Sequence, residues 1–174
     1  GADHVRNHLV IVELFHTDKD RNAPGKPKLQ STATQGKAQL LIEVQNESAA
    51  SDAMGICAFL SAYKIGVQNV LHELEAVTGI DYGMEGFLTA GEKIWNVEKL
   101  FNLGAGLTIA DDTLPRRFLE EPMPEGPFKG SVFKLDNMLP EYYRLRGWDN
   151  RGLPKTSKLK ELGLSEYESM LDAP

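Results

Sequence analysis

The sequence predicts an all-α, multihelical fold with irregular helix packing and one long proline-rich loop. Three observations carry that expectation. Apolar residues recur at helical spacing through 37–50, 67–77 and 84–103. No stretch sustains the period-two alternation of a half-buried strand. Between Thr108 and Lys134 stand Pro115, Pro122, Pro124 and Pro127 with Gly126 and Gly130, breakers enough to make nearly the whole segment irregular.

The elements follow in order. Val5 to Phe15 is strongly apolar, and periodicity alone does not separate a helix from a buried extended segment there. Asp18 to Gln35, with Pro24, Gly25 and Pro27, has loop composition. Lys37 to Ala50 reads as a helix carrying Leu40, Leu41 and Val44, interrupted at Ser51 to Cys57 before a second helical run to Ile65. Val67 to Val77 sets Val70, Leu71, Leu74 and Val77 on one stripe, and Thr78-Gly79-Ile80-Asp81 stops it. Met84 to Leu103 is the longest helical pattern. It has a row of Leu88, Gly91, Trp95 and Glu98 and an adjacent stripe of Phe87, Ile94, Val97 and Phe101 directed at a core. After the proline loop, Asp136 is positioned as N-cap of a helix to Arg146, with Pro140 making its start irregular. Gly147 to Gly152 is turn chemistry, Lys155 to Leu162 a short helix stopped by Gly163, and Ser165-x-x-Glu168 a capping box opening a last helix.

At 174 residues with 41% hydrophobic and 25% charged residues, the chain fits one ordinary domain or two small ones. Its 19 Lys and Arg against 25 Asp and Glu leave a formal charge of -6. That balance supplies no basic field for nucleic acid or an anionic membrane surface. No stretch reaches the roughly 20 apolar residues of a transmembrane helix. Cys57 is the only cysteine, so any iron–sulfur or multi-cysteine zinc site needs ligands from elsewhere. The chain opens on Gly1-Ala2-Asp3-His4 and is read as a piece of a longer polypeptide.

Chemistry concentrates at Asp52-Ala53-Met54-Gly55-Ile56-Cys57. A thiol beside a small-residue break can approach a metal or cofactor, Gly55 permits close backbone approach and Asp52 offers a carboxylate to an amine or amide. The bland alternative is a buried structural cysteine. His4, His8 and His16, spaced by four and eight, invite a metal reading that no further ligand cluster supports, and His72 beside Glu73 reads as a solvated face. Asp111-Asp112-Thr113-Leu114-Pro115-Arg116-Arg117 either orients an anionic or polar substrate or pairs its own charges. Arg144 to Asp149 sets cations beside Trp148, a stacking or helix-capping arrangement.

Six segments in order resemble the C-terminal helical domain of the tungsten-containing aldehyde ferredoxin oxidoreductases. They are Gly1-Ala2-Asp3-His4, Asp52-x-x-Gly55-Ile56-Cys57, Gly91 to Asn102, Asp111 to Phe118, Leu135-Asp136-x-Met138-Leu139-x-Glu141-Tyr142-Tyr143 and Arg146-Gly147-Trp148-Asp149. The resemblance implies an enzyme whose tungsten (or molybdenum) is held by the dithiolenes of two pterins, oxidises a small aldehyde to a carboxylate and passes electrons through a 4Fe–4S cluster to ferredoxin. It implies Cys57 as the metal ligand on the cluster iron, Asp52, Gly55, Ile56 and Cys57 as the cofactor-binding motif, and His4 as the residue near the metal, facing the aldehyde oxygen or the metal oxo group. Ile56 stands where the family has Leu, a near-isosteric change.

The same resemblance places the N-terminal and middle domains, three cluster cysteines and a glutamate beside the metal outside this chain. The fragment is therefore expected to be inactive alone and the enzyme cytoplasmic. Two other readings stand beside it. One is a non-catalytic helical interaction module with Cys57 in its core; the other is a family relative acting on another carboxyl derivative, such as an aromatic thioester.

Overall fold

A computed structural model of the chain describes residue 34, residues 36–57 and residues 67–172. The apolar run 5–15, the loop 18–33, the helical run 58–65 and His4, His8 and His16 lie outside the described residues. The described residues are helical, with no strand among them and one isolated antiparallel bridge between Trp148 and Pro154. They fall into two compact units, which divide between Glu98 and Lys99.

The first unit is built on α1 (Lys37–Ala53), α2 (Val67–Thr78) and the beginning of α3 (Gly83–Gly104). α1 buries Ala38, Ile42, Gln45, Asn46, Ala49 and Ala50, while the bulkier Leu40, Leu41 and Val44 are only half-buried. Close helix approach is the reason. A Cβ on Gly91 of α3 would sit 1.8 Å from the carbonyl oxygen of Asn46 in α1, so only glycine fits where the two backbones touch. One turn further along, the Trp95 indole N–H donates to the Gln45 carbonyl at 2.8 Å. Gln45 and Asn46 are thus the α1 residues at the contact with α3, and the leucines that a hydropathy reading favours stay half-buried.

A cluster of Ala50, Val70 and Phe87 gathers Val67, Leu71, Leu74, Met54 and Ile56 around it. The stripe expected on α2 ends at Leu74; Val77 is 86% exposed, because this cluster reaches no further along the helix. Gly79 closes α2 by donating its N–H to the Glu75 carbonyl at 2.7 Å. Asp81 Oδ1 then accepts the Gly83 N–H at 2.9 Å where α3 opens.

The second unit holds the rest of α3, a 3₁₀ turn at Ile109–Asp111, α4 (Arg116–Glu120), α5 (Leu135–Arg146), α6 (Thr156–Glu161) and a 3₁₀ segment at Ser165–Asp172. Its apolar core is Leu100, Leu159, Leu162 and Leu164, with Leu103, Tyr167, Met170 and Leu171 packed on it. On α3 the expected stripe Phe87, Ile94, Val97, Phe101 is thus corrected. Phe87 is buried, yet Val97 and Phe101 are exposed, and in this unit Leu100 and Leu103 face inward. The partners of α3 differ between its halves, and a single stripe drawn along the whole helix misses that.

Two further expectations are corrected. Lys134 occupies the N-cap position of α5 without a side-chain cap bond, and Asp136 lies in the first turn, where a carboxylate favours the helix N-terminus; the Asn137 N–H bonds the Lys134 carbonyl at 3.2 Å in a tightened opening turn. The last segment is 3₁₀ instead of α. The Glu168 Oε1 atom is buried without a hydrogen-bond partner among the described residues.

Gly91→Ala is expected to lower unfolding free energy by about 1–3 kcal/mol through overpacking. Urea denaturation followed by helical circular dichroism measures it, and unchanged stability would show that the α1–α3 contact yields without cost.

Candidate functional site

The Asp52 to Cys57 turn is a helix ending with fixed geometry. α1 runs three residues beyond the expected break, through Ala53. The Gly55 N–H donates to the Asp52 carbonyl at 2.9 Å and the Ile56 N–H to the Ser51 carbonyl at 3.4 Å. Together with φ 74° at Gly55, these form a Schellman ending, whose reversed hand glycine adopts without a Cβ penalty. Ile56 packs back against the Ala50 cluster, the apolar contact that usually accompanies this motif.

With Ile56 anchored inward, the next residue points the other way: Cys57 is exposed with a free thiol. Asp52 is half-buried on the last turn of α1 and already has an interaction partner. Among the described residues, nothing lies within 4 Å of where a Gly55 Cβ would sit. The turn therefore presents one accessible thiol, a carboxylate on the preceding turn and open space over a glycine. Among the described residues no group of three His, Cys, Asp or Glu side chains could hold a metal ion.

The second unit contains a polar node that sequence reasoning found only in part. Asp112 Oδ2 accepts hydrogen bonds from Lys99 Nζ at 2.7 Å and from the Tyr143 hydroxyl at 2.6 Å. Lys99 Nζ also stands 5.4 Å from the centre of the Trp148 ring, within cation–π range. A Cβ on Gly152 would come within 2.9 Å of the Tyr143 hydroxyl and 3.0 Å of Asp112 Oδ2, so the backbone closes over the node. Arg146 is fully buried, with Nε donating to the Tyr142 hydroxyl at 3.2 Å and its guanidinium 5.6 Å from that ring.

Asp149 fixes the adjoining turn, its Oδ1 accepting the Arg151 N–H at 2.8 Å and the Leu153 N–H at 3.0 Å. Burial pushes its carboxyl upward, but these amides and the Arg151 guanidinium outweigh that and hold it below the usual carboxylate range. Lys99, Tyr143 and Gly152 carry no motif pointing to this role. Only the pairing of Asp112 with a residue 31 positions away reveals it.

The charges of the 111–117 segment resolve locally. Asp111 Oδ2 accepts from the Thr108 N–H at 2.7 Å in a capping box. Arg116 Nε reaches Glu120 at 3.0 Å and Arg117 Nε reaches Glu121 at 3.7 Å, all four side chains well exposed. The arginines therefore pair along α4 and its C-cap residue Glu121 and do not meet the aspartates. His72 is exposed on α2, as expected.

The sequence profile of the family described as aldehyde ferredoxin oxidoreductase, domains 2 and 3, matches residues 1–164. A tungsten-containing aldehyde ferredoxin oxidoreductase of Pyrococcus horikoshii is 49% identical over 168 residues, covering 96% of this chain and 26% of the relative. One of the same name from Thermococcus kodakarensis is 43% identical with the same coverage. An aliphatic sulfonate oxidoreductase subunit of Pyrococcus furiosus is 31% identical over 124 residues, 66% of this chain and 19% of that protein. The chain thus spans about a quarter of the length of the first two relatives.

Two measurements follow. Burial, and then the Asp112 hydrogen bond and charge, raise the Tyr143 phenol far above its ordinary value. The folded state keeps a proton that the unfolded state releases above about pH 10. This contact therefore stabilises fully below that pH and less as pH rises. Urea midpoints between about pH 8 and 11 are expected to fall more steeply for the parent than for Tyr143→Phe; parallel curves would show that the bond does not couple to folding. Gly55→Ala is expected to cost about 1–2 kcal/mol, because the left-handed cap then carries a Cβ, with thermal unfolding as the check.

Proposed function

The chain belongs to the aldehyde ferredoxin oxidoreductase family, and from that premise we propose that it is the C-terminal helical portion of an oxidoreductase that oxidises aldehydes to carboxylates. In this reading the full enzyme works at a tungsten centre held by two pterins and passes electrons through a 4Fe–4S cluster to ferredoxin. Molybdenum is the alternative metal. The remaining part of the polypeptide supplies the other cofactor ligands, and this portion alone is inactive.

The observation that carries the reading is the exposed Cys57 thiol on a turn whose backbone is already fixed. Cluster iron takes thiolate ligands, and the sequence offers one, so three more come from outside it. The residues present fit that requirement. A buried thiol would need the core to open before binding, whereas this one is accessible beside open space at Gly55.

Cys57 would ligate the cluster, and Asp52 with the backbone at Gly55 and Ile56 would hold the pterin. His4 would hydrogen-bond the aldehyde oxygen. When bound, the tungsten–pterin group supplies the oxidation chemistry and the cluster carries the electrons away. The chain's own contribution is positional. The α1 ending holds Cys57 and Asp52 five residues apart on one ordered turn, so ligands for the two cofactors stay close together whichever is loaded first. The aliphatic sulfonate relative favours a second reading, in which the substrate is not a free aldehyde. A substrate profile of the full-length enzyme, run with aldehydes and with sulfonates, separates the two.

In the full-length enzyme, Cys57→Ser is expected to reduce bound iron to roughly half or less, with loss of the cluster's visible absorbance. Iron measured per tungsten, alongside circular dichroism to confirm folding, is the test. Full iron occupancy in a folded Cys57→Ser enzyme would sink the assignment.

A further inference from the structure

The turn that presents Cys57 is held in place by residues outside its own segment. Each residue between the end of α1 and Cys57 donates its backbone N–H to α1: Met54 and Ile56 to the Ser51 carbonyl at 3.1 and 3.4 Å, and Gly55 to the Asp52 carbonyl at 2.9 Å. Those bonds fix the shape of the turn. Its side chains fix where the turn sits, because Met54 and Ile56 both pack on the buried cluster of Ala50, Val70 and Phe87. Ala50 lies on α1 itself, whereas Val70 belongs to α2 and Phe87 to α3.

α2 is committed to this contact. Val70 is the residue that the helix buries, and it is buried in the cluster that receives Met54 and Ile56. Beyond Leu74 the helix is exposed through Thr78. Among the described residues, therefore, the apolar side of α2 has the ligand turn and the start of α3 as its partners.

A cysteine has one torsion between its backbone and its sulfur, so the backbone at Ile56 and Cys57 decides where the thiolate stands. Ligand distances at a metal tolerate errors of roughly 0.2 Å, and supporting contacts that lock a ligand hold it to that tolerance. Shrinking a buried side chain leaves a cavity into which its neighbours relax in part. Here one of those neighbours is Ile56, next in the chain to the thiol.

We propose that Val70 and Phe87 are positioning residues for Cys57, acting through Ile56 to hold its thiolate on the cluster iron. The proposal rests on the reading of Cys57 as a cluster ligand and adds two residues, on two other helices, that lie outside the cofactor motif.

The test is the rate at which the reduced full-length enzyme, kept anaerobic, yields iron to the ferrous chelator bathophenanthroline disulfonate. It is run at a temperature where circular dichroism shows every variant folded. Val70→Ala and Phe87→Leu are each expected to yield iron about tenfold faster than the parent or more, the range in which loss of a supporting contact weakens a metal site. Ile56→Leu, which refills the same volume, is expected to stay within about twofold of the parent. Leu159→Val, in the core of the other unit, separates position from stability: it lowers the thermal midpoint and is expected to leave the iron rate unchanged.

A parent-like rate in Val70→Ala or in Phe87→Leu would overturn the role of that residue. Acceleration of the same size in Ile56→Leu or Leu159→Val would overturn the proposal as a whole. Cys57→Ser in the same series keeps the two ideas apart. Low iron there with parent-like rates in Val70→Ala and Phe87→Leu would overturn the positioning role alone, and full iron in Cys57→Ser would remove the ligand assignment and the positioning role with it.

Discussion

The contact on which the first unit depends is the approach of two helix backbones at Gly91 and Asn46. No side chain fits between them, so α1 and α3 meet at a distance that only glycine allows. The Trp95 bond to the Gln45 carbonyl holds the same pair one turn on. Ala50, one turn along α1, is buried with Val70 and Phe87, and Ile56 packs on that cluster. The thiol of Cys57 is thus exposed as a consequence of packing: Ile56 is drawn inward, the Schellman ending fixes the chain between them, and the next residue faces out. A flexible turn would have to order itself when a cofactor arrives, at an entropic cost of about 1–2 kcal/mol per residue.

The second unit is organised around a charge. Asp112 is a partly buried carboxylate shared by an ammonium and a phenol, and the Lys99 contact with Trp148 links that charge to the aromatic group of Tyr142, Tyr143 and Trp148. Removing one partner of such a group costs more than the pair contributes, because the remaining charge stays desolvated. The α5 ending repeats the device seen at α1. The Gly147 N–H bonds the Arg144 carbonyl and the Trp148 N–H the Tyr143 carbonyl, with Trp148 and Tyr143 in ring contact. In both units a glycine ends a helix and the residue after it packs back onto that helix, converting a local turn signal into tertiary position.

Much of this was legible in the residues. Helix content, the glycine stops at Gly79, Gly147 and Gly163, the irregularity of the proline segment and the Asp52 to Cys57 turn all follow from local rules, and local bonds satisfy them. The polar loop charges also resolved by a local rule, since arginines four residues before glutamates on a short helix pair with them. The roles of His4, Asp52, Gly55, Ile56 and Cys57 toward cofactors come from family resemblance and are proposals here. The accessibility of Cys57 is what the structure contributes to them.

The sequence by itself determined the all-α class, where most helices stop and which segment carries a solitary thiol, because capping, proline and helical periodicity act within a few residues. Tertiary structure alone decided which face of each helix is inside. Hydropathy favoured Leu40, Leu41, Val77, Val97 and Phe101, but α1 turns Gln45 and Asn46 to its close contact with α3, and the inward row of α3 changes with its neighbours. The Lys99–Asp112–Tyr143 node was equally hidden. Its members are separated by 13 and 31 positions, and no local rule acts across such a span, since only packing brings those groups out of water together.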